Sequence, residues 1–293
     1  MADLLRLSRP WLLSSLRSRA PSPVLSPLCR SFSTTPSLSR TIGKGHKQHE
    51  PAVTPLLPKS LVVPPIWRFP RSPTKFVHML WLILKTRFYD LRALMSMKAM
   101  SMDPMKLSRP RFKYRKSTFV PAAKALHIQM SEAMAAGDKE TLRVVCTGEL
   151  YNKLASAIDS RPKGVRSEWE LVRYEKSWRY PRLADAKLGT QPHSRDKALL
   201  QQAIVSIASV QRIARYDDSK GGIMIDGSER VRHMVEHIVI QCIINPYTFE
   251  AGPWQIWGTL PESTYESILE EEEDLAFMME EFAKTNKSRE FNR

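Results

Sequence analysis

Apolar and polar positions alternate most regularly over residues 236–264, EHIVIQCIINPYTFEAGPWQIWGTLPEST. Ile238, Ile240, Cys242 and Ile244 share one face of an extended chain, and Val239, Gln241 and Ile243 share the other. Such period-two alternation in a β-branched run predicts a strand. Asn245-Pro246 stops it, because proline has no N–H to give a ladder. Gly252-Pro253 supplies turn chemistry before the return run Trp254–Trp257. The two tryptophans of that run point to opposite faces, so both faces of the hairpin meet something apolar. Ala198–Tyr216 is a longer strand pattern, with Ala203, Val205, Ile207 and Ile213 on one face and Ile204, Ala208 and Val210 on the other. Arg182–Thr190 reads as another strand, while Trp169–Tyr180 fits either a strand or a short helix.

Helical spacing governs the flanks. Leu126, Met130, Ala133 and Met134 define a helix from about Pro121 to Ala136. Gly137 closes it and Asp138 caps the next. That second helix carries Leu142, Val145, Cys146, Leu150, Tyr151, Leu154 and Ile158, and Gly148 kinks or divides it. Ser263-Thr264-Tyr265-Glu266 is a capping box with Ser263 as N-cap, opening a helix whose stripe is Tyr265, Ile268, Leu275, Met279 and Phe282. Upstream, residues 75–100 form an amphipathic helix striped by Val77, Trp81, Leu84, Phe88, Leu91 and Met95. Two helices followed by three or four antiparallel strands predict an α+β domain over 117–262, its N-terminal helices packed on a curved antiparallel sheet. The amphipathic helix and a basic arm occupy 75–116, and an acidic helix and tail occupy 263–293.

Charge sharpens this division. The formal net charge is +15, yet residues 117–265 hold 19 Lys/Arg against 17 Asp/Glu. Residues 1–116 hold 22 against 4, and residues 266–293 hold 4 against 9. The positive charge therefore belongs to the N-terminal arm, which suits RNA or an anionic membrane surface. Three cysteines make no disulfide framework, and Cys146 and Cys242 read as small buried hydrophobes in a reducing compartment. No run of about twenty apolar residues predicts a transmembrane helix.

Residues 1–40 have Asp3 as their only acid, with Arg6, Arg9, Arg17, Arg19, Arg30 and Arg40 among Ser and Leu. That composition is a mitochondrial transit peptide, with cleavage expected near Phe32 or Ser33 in 1–33. Residues 34–74 are proline-rich and read as an extended linker carrying the apolar islands Leu61-Val62-Val63 and Ile66-Trp67.

Two stretches carry candidate binding chemistry. On the amphipathic helix, Trp81, Leu84, Phe88 and Leu91 are candidates for membrane or partner contact; packing on the following domain is the structural alternative. In PMKLSRPRFKYRK, extended geometry projects Arg109, Arg111, Lys113 and Arg115 to one side and Pro110, Phe112 and Tyr114 to the other. Lys106, Arg109, Arg111, Lys113, Arg115 and Lys116 suit phosphates, and Phe112 and Tyr114 either stack on a base or pack on protein. A solvated linker would show the same charge run.

His233-Met234-Val235-Glu236-His237 matches a zinc-hydrolase spelling. That chemistry needs both histidines on one helical turn. Here they enter a strand pattern, where residues four apart lie about 13 Å from each other at a rise of roughly 3.3 Å. No phosphate loop, Cys-x-x-Cys pair or nucleophile elbow occurs, so no catalytic residue, metal or cofactor is expected.

The hairpin ending WQIWGTLPEST, and LHIQMSEAMAAGDKETLRVVCTGELYNKL before it, resemble the Tim44-like domain family over roughly half the chain. The similarity lies nearest its branch of mitochondrial large-subunit ribosomal proteins and Mba-type mitoribosome receptors. The resemblance implies a cone-like α+β fold and no enzymatic activity. It implies a protein of the mitochondrial matrix, peripheral to the inner membrane, that binds rRNA and proteins near the exit site of the large ribosomal subunit. Such a protein tethers translating mitoribosomes to the inner membrane and its insertion machinery. An import factor associated with the presequence translocase is the second reading, and an enzyme or lipid carrier using the domain's concavity is the third.

Overall fold

A 19-residue strand, β3 (Leu199–Asp217), is the axis of the structure. In this computed structural model, residues 54–102, 109–190 and 198–291 are described, all within one compact unit, 33–293. Strand β5 (Arg230–Ile244) pairs antiparallel with β3 from Leu199↔Ile244 to Ile213↔Arg230. On the opposite edge, β2 (Arg182–Thr190) takes the first half of β3 and β1 (Val165–Tyr174) the second. The stretch left ambiguous by pattern is thus strand up to Tyr174, and an elbow at 175–181 joins two pieces of one broken edge. Strand β4 (Ile223–Met224) adds a short pairing to β3, and β6 (Gln255–Leu260) borders β5. The class is α+β, as the pattern predicts.

One sheet face carries the helices. Helix α2 (Phe119–Ala136) ends at Gly137, whose φ of 77° is a left-handed cap. Asp138 then caps α3 (Lys139–Val145) by accepting from the Glu140 and Thr141 N–H groups. The second helix is divided just before Gly148: Cys146 bridges to Ile256 and the Thr147 N–H donates to the Ile256 carbonyl at 2.9 Å. Helix α4 (Gly148–Asp159) follows. Phe119, Ala123, Leu142, Val145 and Leu154 bury against Ala203, Val205, Ile207, Ile238, Ile240 and Ile256. The hairpin reversal falls at Asn245–Phe249, one step earlier than Gly252-Pro253. Asn245 Oδ1 accepts from the Tyr247 and Thr248 N–H groups, and Ala251 already pairs back to Ile244.

The other face is covered by the N-terminal segment, which corrects the linker expectation for residues 54–72. Leu57, Leu61, Val62 and Phe69 are buried, and Val62 packs with Ile204 and Val239. Its prolines prevent it from joining as a strand, so sheet side chains satisfy its backbone instead. Gln202 Oε1 accepts from the Leu57 N–H at 2.8 Å, and its amide donates to the Pro55 carbonyl at 3.1 Å. Asp185 accepts from the Leu61 N–H at 2.9 Å and Ser263 from the Val62 N–H at 3.0 Å. A side chain at Gly189 would meet Leu57 Cδ2 at 2.6 Å, so the glycine makes the seat for that leucine. Because Ser263 serves this segment, Thr264 rather than Ser263 caps α5 (Tyr265–Phe291), accepting from the Ser267 N–H at 3.2 Å. The transit segment 1–33, the rest of the linker to residue 53, and Lys106 lie outside the described residues.

Candidate docking surfaces and the polar core beneath them

Helix α1 (Pro73–Met100) has the predicted stripe, and the structure turns it outward. Val77, Trp81, Leu84, Phe88, Leu91 and Met95 are each between 55 and 64% exposed. Met79, Leu82, Thr86 and Met97 face inward instead. Met79 and Leu82 pack with Leu61, Phe69 and Ile268, and ion pairs hold the same face inward. Asp185 on β2, its side chain fully buried, accepts from Arg87 of α1 at 2.6 Å and lies 3.6 Å from Lys187. Lys187 also pairs with Asp90 of α1, and Arg87 donates to the Ala184 carbonyl at 2.6 Å. Burial pushes the Asp90 carboxyl above its ordinary range against the pull of Lys187. Helix α5 adds Glu272, 3.0 Å from Lys85. Four charges and the Leu61 N–H thus hold the rotation of α1 together with that packing. A cleft of about 340 Å³ opens beside them, lined by Arg87, Asp90, Leu91, Tyr114, Lys116 and Asp185 among others.

The cationic segment obeys the alternation of an extended chain. Arg109, Arg111, Lys113, Arg115 and Lys116 face solvent. Phe112 is buried with Met97, Cys242 and Ile244, and Tyr114 is half-buried with its ring 5.5 Å from Phe119. Both rings pack on protein and anchor the cations: Phe112 is enclosed, while Tyr114 keeps part of its ring in the cleft beside α1. The Arg111 N–H donates to the Ser101 carbonyl at 3.3 Å, tying the segment to the end of α1.

The zinc-like spelling resolves into three separate interactions on β5. His233 pairs with Glu175 at 2.9 Å, His237 Nδ1 meets the Ser206 hydroxyl at 2.8 Å, and Glu236 lies 3.2 Å from His127 Nε2. His127, buried on α2, also meets the Tyr174 hydroxyl at 3.2 Å, and Gln211 donates to Glu236 at 2.8 Å. Burial raises the Glu236 carboxyl, but the His127 hydrogen bond and charge, with Gln211, outweigh it and leave its pKa below the ordinary value. Burial, aided by Glu236, pushes Tyr174 up to about 12. Burial likewise raises the thiols of Cys146 and Cys242 to about 12, as expected of inert core cysteines. Sequence pattern missed His127, Asp185 and Gln202; the signal for each is a polar residue inside an apolar periodicity.

His237 gives a pH test. Burial lowers its pKa below 6.5, so the folded state keeps it neutral while the unfolded chain takes a proton. Its contribution is complete above the unfolded value and is lost as pH falls through the lowered folded one. In that window stability falls by up to about 1.4 kcal/mol per pH unit. Urea melts between neutrality and mild acid are expected to show a shallower loss for His237→Gln than for the natural chain. Parallel curves would refute the assignment.

Fold and surfaces together define an α+β domain built on a two-sided sheet, with an exposed apolar helix face and an exposed cationic segment. The Tim44-like domain model matches residues 99–259, more than half of the chain, and the protein belongs to that family. The family is one of mitochondrial, membrane-associated proteins. Among the described residues no helix is long and apolar enough to cross a membrane. No curated protein matches the chain. Among solved structures, the intermembrane space region of the chloroplast protein ARC6 is similar, with 10% identity and a TM-score of 0.33 over 51% of this chain and 99% of that one.

Proposed function

We propose that the protein associates with the large subunit of the mitochondrial ribosome and holds translating ribosomes against the matrix face of the inner membrane. Nascent chains would then emerge beside the insertion machinery. The exposed stripe of α1 carries this reading. A folded chain that leaves six large apolar side chains of one helix in water, while an ion cluster blocks their rotation inward, has a second surface to meet. A membrane interface suits tryptophan, phenylalanine and leucine on a helix with Lys75, Lys85 and Arg92. The outward cations of 109–116 suit rRNA phosphates.

Two sets of variants test the two surfaces in salt-resolved gradients and vesicle flotation. Neutralising Arg109, Lys113, Arg115 and Lys116 is expected to weaken ribosome co-migration and flatten its salt dependence by roughly 0.7 in log–log slope per lost phosphate contact. Leu84→Glu with Phe88→Glu is expected to abolish flotation on vesicles of phosphatidylcholine and cardiolipin while leaving ribosome co-migration intact. An unchanged salt profile in the first set overturns the ribosomal half, and undiminished flotation in the second overturns the membrane half.

One observation favours the import reading as the second choice. Beyond Leu275, helix α5 exposes Phe277, Met278 and Met279 beside Glu280 and Glu281. Acidic and methionine-bearing faces suit basic amphipathic segments. Co-migration with the translocase instead of the ribosome would select it.

A further inference from the structure

The elbow between β1 and β2 carries a feature used by neither surface. Arg179 lies over two indoles, its guanidinium carbon 4.0 Å from the centre of the Trp67 ring and 4.5 Å from that of Trp178. Trp67 belongs to the 3-10 turn Ile66–Arg68 of the N-terminal segment, so the stack joins parts of the chain far apart in sequence. Both indoles stay in solvent, Trp67 at 72% and Trp178 at 84% exposure. Tryptophan is the most costly side chain to leave so open, and a rigid, ordered aromatic surface is what binding hot spots are made of. The guanidinium contacts both rings and still leaves most of each indole in water.

We propose that Trp67, Arg179 and Trp178 form a platform on which an unpaired nucleobase of single-stranded RNA stacks. The surrounding charge selects this occupant. Arg71, Lys176 and Arg182 lie within four residues of the stack along the chain, and all three are exposed. The nearby acids are already engaged, Glu262 by Arg68 and Glu175 by His233. An indole face framed by arginine and lysine matches a base with its phosphates on either side, the pattern of single-strand recognition. A lipid interface fits less well, because the guanidinium of the stack would have to leave water along with the rings. The platform rests on the ribosome-bound reading for the source of its RNA, but its residues are different from those of 109–116.

The test uses the full chain and an unstructured RNA of roughly twelve nucleotides, within the usual single-strand site size, carrying one thiouridine for photocrosslinking. Trp178→Leu keeps an apolar side chain but removes the π face; Trp178→Phe keeps a ring. The leucine variant is expected to bind about ten-fold more weakly, and the phenylalanine variant to retain most of the affinity. The slope against salt is unchanged in both, because no phosphate contact is removed. The crosslink is expected at the elbow, within 175–181. Equal affinity of the leucine variant and the natural chain overturns the proposal, as does a natural chain that does not bind the oligonucleotide. So does a leucine variant that loses only flotation on phosphatidylcholine–cardiolipin vesicles, which assigns the indoles to a membrane. Failure of the ribosomal reading looks different: the chain would bind the oligonucleotide through Trp178 and yet not co-migrate with ribosomes.

Discussion

Replacing Asp185 with alanine is expected to destabilise the protein by about 3–5 kcal/mol, the cost of removing one partner from a buried charge cluster. Its carboxylate is fully enclosed and is shared by Arg87, Lys187 and the Leu61 N–H. Without it, Arg87 and Lys187 face each other with Asp90 as their remaining carboxylate, and the N-terminal segment loses a backbone anchor. Urea denaturation of the purified chain measures the loss. The released state also has a signature: α1 and residues 54–72 should gain hydrogen exchange before β3 and β5 do, because Asp185 holds the outer layer and not the helical one. A uniform gain across the sheet, or a loss below about 1 kcal/mol, would show that Asp185 does not hold α1.

Replacing His127 with leucine is expected to cost a similar amount, about 3 kcal/mol, because Glu236 would remain largely buried with Gln211 as its remaining side-chain donor. His127 uses both ring nitrogens, one on Glu236 of β5 and one on Tyr174 of β1, and so pins α2 across the width of the sheet. A double-mutant cycle separates this pairing from simple loss of packing. With Glu236→Leu also present, the total cost should be less than the sum of the single changes by about 1 kcal/mol or more, since two apolar groups no longer leave a charge unpaired. Strict additivity would mean that the pair contributes no coupling.

Both residues mark the boundary between what pattern reveals and what it conceals. The alternation of Ile238–Ile244 and of Ala203–Val210 required apolar cover on both faces of the central strands. The structure supplies helices on one side and the N-terminal segment on the other. Gly137 and Asp138 placed a helix boundary correctly because a left-handed turn and an N-cap are local matters. Alternation likewise set the cations of 109–115 opposite Phe112 and Tyr114, since period two is a property of any extended chain.

The sequence by itself determined most of the helices and the long strands, the class of the fold, the family and the separation of charge between arm and domain, and left Trp169–Tyr180 open between strand and helix. The family follows from the resemblance of two stretches, and the rest from neighbours along the chain or from composition. Tertiary structure alone decided which side of α1 faces in, because an apolar stripe has the same period whether it is buried or displayed. The rotation is held by the packing of Met79 and Leu82 and by Arg87 and Asp90 meeting Asp185 and Lys187 across 97 or 98 residues of chain. It alone turned the proline-rich stretch from a spacer into a cover for the sheet. A backbone without ladder hydrogen bonds can be held by Gln202, Asp185 and Ser263, but only where folding brings those side chains to it.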